Sequence, residues 1–329
     1  FEGEHLVVGR AESCAIRVDD GAASQRHASV SFRAGAWILE DLGSSNGTLV
    51  DGRRIDVVAL RPGALVMIGN TLFKFLPAGV ESHAHYDLEG RVVGKPFDDD
   101  DAADDAAQRA LLVGGYRMHR LARALSRLAA SRVTVTLAGE PGTEKPRAAE
   151  LLHRYRGAAG AFLPLRASDG DKGALAFTVA SRLGEIGGGT VFVDDADALT
   201  PPEIASIERM LETAAPPGAP RPGLVLGVRN APPDASEAAR YALRIPPLRE
   251  RKEDLYALTR AALAKIGRRD LGVEFLYLVA LAHYDFPANV EELDRIVESS
   301  AAASTGGALG KDDVPHVLRV RMAHARRAR

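Results

Sequence analysis

Cysteine is nearly absent: Cys14 is the only one in 329 residues. A lone thiol excludes an internal disulfide and a cysteine-rich zinc site, and it points to a reducing compartment, so a cytoplasmic location is expected. Long apolar runs are missing too. None approaches the roughly 18 residues that a membrane helix needs, so no membrane partner is expected. Neither sign of charge is in excess. The 42 Lys and Arg against 44 Asp and Glu leave a formal charge of -2, which gives no global argument for nucleic acid or lipid. Metal ligands do not cluster. His83 and His85 are close in sequence, but their polar segment offers no clear third ligand, and no metal is expected. The first residue is Phe1 and no signal peptide is visible. What remains is 46% hydrophobic and 26% charged, an ordinary folding composition in a chain long enough for two domains.

The most informative stretch is GEPGTEKP, residues 139–146. The alternating Val133, Val135 and Leu137 before it predict a buried strand. Ala148, Leu151, Leu152 and Tyr155 after it predict a helix. Strand, glycine turn and helix with a lysine at the helix start is the layout of a phosphate-binding loop, in which backbone N–H groups and the helix N-terminus face the phosphates. Gly139, Gly142, Lys145 and, further on, Asp194 are the candidate nucleotide-site residues. The pattern is damaged. Glu144 stands where the layout has glycine, and its carboxylate is expected to repel phosphate and compete for Lys145. Pro146 is tolerated in a first helical turn but has no side-chain donor to help hold a metal.

Residues 1–78 have a different rhythm. Short apolar runs at 6–8, 15–18, 30–32, 37–39, 65–68 and 72–75 are separated by Gly, Asp, Asn and Ser, which predicts an all-β sandwich or barrel. Asn46-Gly47 and Asp51-Gly52 are turn dipeptides. Polar residues gather in the turns: Gly9-Arg10, then Ser24-Gln25-Arg26-His27, then DLGSSNGT at 41–48. On that GR, SxxH and SxNGT order, the segment resembles the forkhead-associated (FHA) domain, a β-sandwich that reads phosphothreonine in partner proteins. The resemblance implies that Arg10 and Ser24 hold the phosphate, with Gln25, Arg26, Ser45 and Asn46 as secondary contacts. His27 and Gly47 are expected to be structural. The chemistry agrees. A phosphate offers about two negative charges and strong acceptor oxygens, arginine a planar fork of donors, and asparagine a donor and an acceptor for peptide backbone. Only eight residues precede the GR turn, so the sequence is expected to begin inside this domain.

Residues 79–110 read as an acidic linker, with six Asp within residues 98–105. Beyond it, strands near 189–195, 224–228 and 243–245 alternate with helical patterns at Met118, Leu121, Leu125 and Leu128 and at Ile204, Ile207 and Leu211. That alternation implies a mostly parallel sheet, an α/β core over 111–248. After it, 249–329 reads as a helical lid and basic tail. Leu255, Leu258, Ala262 and Ile266 share a helix face, 275–284 reads as a second helix, and Asn289 with Glu292 reads as the N-cap of a third.

GEPGTEKP, GGTVFVDDADAL (188–199), IPPLRERKEDL (245–255) and FPANVEELDRI (286–296) together resemble the AAA+ domain of bacterial enhancer-binding proteins, the sigma-54-dependent NtrC-like activators. The resemblance implies a P-loop fold with a helical lid, ATP with magnesium as the cofactor of a competent site, and a ring-forming partner, either another copy or another AAA+ chain. In that family Asp194 would organise magnesium, and the next acid, normally glutamate, would position the attacking water; here it is the shorter Asp195. Arg229 replaces a sensor threonine, Glu291 replaces a nucleotide-sensing arginine, and Arg240 or Arg244 stands in for arginine fingers. KGALAFTVA at 172–180 is no intact GAFTGA loop. No helix-turn-helix follows, and the tail arginines (Arg319, Arg321, Arg326, Arg327, Arg329) read as a solvated helix end, so no specific DNA binding is expected. Two readings stay open: an FHA reader on an AAA+ scaffold that no longer hydrolyses ATP and needs no cofactor, or an active ATP-dependent sigma-54 activator with unusual motifs.

Overall fold

A computed structural model describes residues 5–76, 86–89, 91, 106–131, 133–157, 160–167, 172–214, 220–231, 241–316 and 318. The acidic run, His83, His85, Arg240 and the tail arginines lie outside them. The chain divides into two compact units, one of residues 1–81, 267–285 and 298–329, the other of residues 82–266 and 286–297.

The first unit holds a β-sandwich. One sheet is ordered β2-β1-β3-β4-β7, from Ile16–Arg17, His5–Gly9, Ala28–Arg33, Ala36–Asp41 and Val57–Ala59. The other is β6-β5-β8-β9, from Arg53–Ile55, Thr48–Val50, Leu65–Ile68 and Thr71–Lys74. All pairings are antiparallel except β1 with β2. Val8, Ala28, Leu39, Val66 and Ile68 form the buried layer. Period-two alternation puts such residues inward. Strands β5, β6 and β7 have three residues each, too few for alternation to show in sequence. The Asp51-Gly52 turn between β5 and β6 has φ of 49° and 77°, the two positive values of a tight hairpin. A parallel pair, β15 (Gly272–Val273) and β16 (Ala308–Leu309), and the helix Phe275–Ala282 belong to the same unit.

The second unit is a parallel five-stranded sheet ordered β11-β12-β13-β10-β14, from Phe162–Arg166, Thr190–Asp194, Gly223–Val228, Val135–Ala138 and Ala242–Arg244. Helices cover both faces, as parallel sheets require. On one face Val135, Leu137, Phe192 and Val225 meet Met118, Leu121 and Leu125 of the helix Tyr116–Ala129 and Leu151 and Leu152 of the helix Lys145–Tyr155. On the other, Val191, Val193, Leu224 and Leu226 meet Ile207 and Leu211 of the helix Pro201–Ala214. Strand β11 carries Pro164 at its centre, which hides it in the sequence; it lies at the sheet edge, where a missing N–H is tolerated. The carboxyl ends of β10, β12 and β13 put the 139–144 loop, Asp194 and Arg229 along one edge, where open α/β sheets bind ligands.

Candidate functional site

Strand β1 ends on Gly9 because no side chain fits there: a Cβ would run into the Gln25 carbonyl and lie 3.0 Å from His27 N. The close approach lets Arg10 and Ala11 N–H donate to Ser24 O and Gln25 O, each at 3.0 Å. Arg10 is thereby set beside the 22–26 turn, exposed, with Nε donating to Ala23 O at 3.3 Å. His27 is fully buried and ties two turns together. Its Nδ1 accepts from Ser24 N–H at 3.0 Å, which leaves Nε2 to donate to Gly47 O at 3.3 Å. Gly47 has a φ of 76°, so its turn needs glycine. Ser24 Oγ accepts Ser45 N–H at 3.0 Å, and its own O–H donates to Ser45 Oγ at 3.5 Å, a long hydrogen bond that a closer acceptor can replace. Asn46 was expected to read peptide backbone with both ends of its amide. One N–H is instead committed to Ala22 O at 2.7 Å, leaving Oδ1 and the second N–H. Gln25, Arg26 and Ser45 are exposed around it.

Asp41 fixes the second turn from below. Its carboxylate accepts from Ser44 N–H at 2.8 Å and from Ser44 Oγ and Thr48 Oγ1, each at 2.6 Å.

At the other candidate site the loop after β10 is tied down at every residue. Lys145 is buried; Nζ donates to Gly139 O at 3.0 Å and Glu140 O at 3.5 Å and lies 3.6 Å from Asp194 Oδ1. Thr143 N–H and Oγ1 both donate to Glu140 O, at 3.3 and 2.7 Å. Glu144 has a φ of 70°, the conformation that favours glycine. Its carboxylate corrects the expectation drawn from the sequence. It does not pair with Lys145 but is buried against Arg251 Nη2 at 3.3 Å and Arg147 Nη1 at 3.4 Å. A carboxylate out of water must be paired, and here the protein supplies the cations. Arg251 is itself 0% exposed, and it also donates to Val113 O at 3.2 Å and lies 3.6 Å from Asp254 Oδ2.

Glu140 receives the Arg249 fork at 2.7 and 2.5 Å, and those hydrogen bonds hold its carboxyl below the usual range. Asn289 begins the helix Asn289–Ala303, but the cap differs from the one expected: Glu292 accepts from Ala288 N–H at 2.9 Å. The Asn289 side chain is buried and used elsewhere, donating to Pro141 O at 2.9 Å and accepting from Leu248 N–H at 2.8 Å. Val290 N–H donates to Gly142 O at 3.0 Å, and the Ala288 carbonyl fills the space a Gly142 Cβ would need. Asp195 follows β12 with a φ of 54° and lies 3.7 Å from Arg166 Nε. Arg229 and Glu291 are exposed; the Arg229 N–H donates to Asp197 at 2.8 Å. Arg244, one of the two finger candidates, forks onto Glu250 at 2.8 and 2.6 Å. Residues 172–180 lie in the helix Lys172–Ser181, with Phe177 73% exposed.

Comparison with known proteins agrees with both halves. The FHA domain family matches residues 6–69 and the AAA+ ATPase lid domain family residues 249–329. The C4-dicarboxylate transport transcriptional regulatory protein DctD of Rhizobium meliloti (strain 1021) is 30% identical over 244 residues, 62% of this chain and 53% of DctD. FhaB, an FHA domain-containing protein of Mycolicibacterium smegmatis, is 40% identical over 73 residues, 22% of this chain and 47% of FhaB. The fold matches NtrX from Brucella abortus in complex with ATP at a TM-score of 0.51 and 17% identity, covering 64% of this chain and 57% of NtrX. The chain joins an FHA domain to an AAA+ unit of the sigma-54-activator type. It spans about half the length of the curated relatives it matches.

In the FHA domain the fold brings Arg10, Ser24, Gln25, Arg26, Ser45 and Asn46 to one cluster of turns. The sequence reading did not single out Asp41, although it opens the DLGSSNGT segment. Burial works against the ionised form of Asp41, but the Ser44 and Thr48 hydrogen bonds outweigh it and lower the pKa below 3.8. A carboxyl with a depressed folded pKa stabilises fully above its unfolded value and loses that contribution as pH falls through the folded one. Thermal unfolding followed from pH 6 downward is therefore expected to show a stability loss setting in below about pH 4. Asp41→Asn should reduce that loss, the remainder coming from carboxyls such as Asp20 that are also held low; an unchanged pH profile in that variant would count against the assignment. In the AAA+ unit the residues missed were Arg249 and Arg251, both inside the LRER stretch already recognised.

Proposed function

We propose that this chain is a phosphothreonine-dependent regulator. Its FHA domain reads a phosphorylated partner protein, and its AAA+ unit serves as an assembly scaffold in transcription control without turning over ATP. The observation that carries the reading half is the exposed Arg10 guanidinium beside the Ser24 hydroxyl, both positioned by backbone hydrogen bonds and the buried His27. Such a site is organised before ligand arrives, so little ordering opposes binding. Arg10 supplies charge and a donor fork, Ser24 a hydroxyl donor, and Asn46 an acceptor and a remaining N–H for peptide backbone. Gln25, Arg26 and Ser45 line the approach. Titration of the chain with phosphothreonine peptides and their plain counterparts tests it; equal affinity for both would refute it.

The scaffold half rests on the fit between the 139–146 loop and a magnesium nucleotide, which is poor. Pro146 has no hydroxyl for the metal, the Thr143 N–H turns into Glu140 O rather than outward, and Glu144 fills a glycine position with a buried ion pair. Asp195 is one methylene short of the glutamate that the AAA+ resemblance implies and lies beside Arg166. Phosphoryl transfer depends on positioning and charge stabilisation, and both are impaired. The second reading, an active ATPase, is favoured by Lys145 and Asp194, the two candidate nucleotide-site side chains that lie 3.6 Å apart. Phosphate release at high protein concentration decides between the two. The expected result is no release above background and no change on Lys145→Ala; ATPase activity lost with that substitution would establish the active reading.

A further inference from the structure

The FHA domain has a third arginine at its recognition turns. Arg54 lies on β6 opposite Leu49 of β5, the strand that starts just after Asn46-Gly47. Its guanidinium folds back onto the turn: a Cβ on Gly47 would lie 2.5 Å from Arg54 Nε and 2.6 Å from Cζ. The backbone already requires glycine at this position, and Arg54 occupies the space the missing side chain leaves. Gly47 directly follows Asn46, so the cation lies against the residue next to it in the recognition turn. Arg54 is exposed, and among the described residues it makes no hydrogen bond or ion pair. Asp51, the acid at the turn of its own hairpin, accepts instead from Leu65 N–H at 3.0 Å. Arg244, Arg249 and Arg251 in the AAA+ unit, by contrast, each have a carboxylate partner.

We propose that Arg54 reads a second anionic group on the same peptide, within a few residues of the phosphothreonine. The inference rests on the phosphothreonine reading above and narrows its ligand to a peptide carrying two anions. Guanidinium offers the same planar fork to a carboxylate and to a phosphate, so the second group is an acidic side chain or a second phosphothreonine. Asn46 lies between the two cations in the chain of contacts and holds the intervening peptide backbone.

The test uses the full chain and one threonine peptide in four forms: plain; phosphorylated with neutral flanks; phosphorylated with a glutamate moved through each flanking position; and doubly phosphorylated at the best position. Fluorescence anisotropy should show that one glutamate position gains about three- to tenfold, the range of a partly exposed ion pair. The second phosphate should gain more because it carries about two charges, and both gains should shrink with added salt. Arg54→Gln keeps most of the stem against Gly47 and should erase the gain while leaving the neutral-flank phosphopeptide within about twofold of the parent, as for an independent contact. Arg54→Ala serves as the second variant. Equal loss for every phosphopeptide would mean that Arg54 only shapes the turn, and no gain at any position would mean that no second anion is read; either result overturns the proposal and leaves phosphothreonine reading standing. Equal binding of plain and phosphorylated forms would overturn both.

Discussion

Arg10→Ala is expected to weaken binding of a phosphothreonine peptide about ten- to hundredfold and to leave the plain peptide unchanged. The magnitude follows from one lost charge-assisted contact, roughly 1.5–3 kcal/mol, converted at about 1.4 kcal/mol per decade. The fold should survive the change. Arg10 is exposed and its side chain makes one hydrogen bond, to Ala23 O, while the strand-end geometry rests on Gly9 and on backbone pairing. Ser24→Ala should weaken binding less, because a neutral hydroxyl donor is lost rather than a charge. Calorimetric titration with the phosphorylated and plain forms checks both. An Arg10→Ala protein that melts normally and keeps full affinity would remove Arg10 from the site.

Arg251→Ala is expected to destabilise the AAA+ unit by about 3–5 kcal/mol, the cost of breaking a buried ion pair by removing one partner. Arg251 is completely buried, and its loss takes a cation away from the buried carboxylates of Glu144, left with Arg147, and of Asp254, left with the Gly115 N–H among its contacts. For a unit of this size each kcal/mol shifts the melting temperature by roughly 2–4 °C. Glu144→Gly should cost less. Glycine relieves the left-handed backbone by about 1–2 kcal/mol, and Arg251 keeps Asp254 and the Val113 carbonyl. The pair combined should lose less than the sum of the two, because the Arg251–Glu144 contact broken by either substitution can be lost only once. Strict additivity in a double-mutant cycle of melting temperatures would show that the two side chains do not act on each other. Glu144→Gly should also fail to create ATP turnover, since Pro146 and Asp195 are untouched by it.

The sequence by itself determined both halves of the fold. Turn chemistry at Asn46-Gly47 and Asp51-Gly52 and the GR, SxxH and SxNGT spacing define the sandwich. Four motifs in order define the α/β unit. Such patterns are legible because they are local: a turn needs its glycine, and a helix face repeats every three or four residues. The candidate phosphopeptide residues were legible for the same reason, since each sits in a short polar turn. Tertiary structure alone decided what each charge does. Glu144 reads in sequence as a repulsive group beside a phosphate site, but its partner Arg251 is 107 residues away in the chain. Asn289 reads as a helix cap, yet its side chain spans the chain to Pro141 O and Leu248 N. Arg54 reads as one arginine of a hairpin until the fold lays it on Gly47. Electrostatic energy depends on distance through space and on burial, neither of which sequence order encodes, so the elements could be read from the sequence while the charge pairings had to come from the structure.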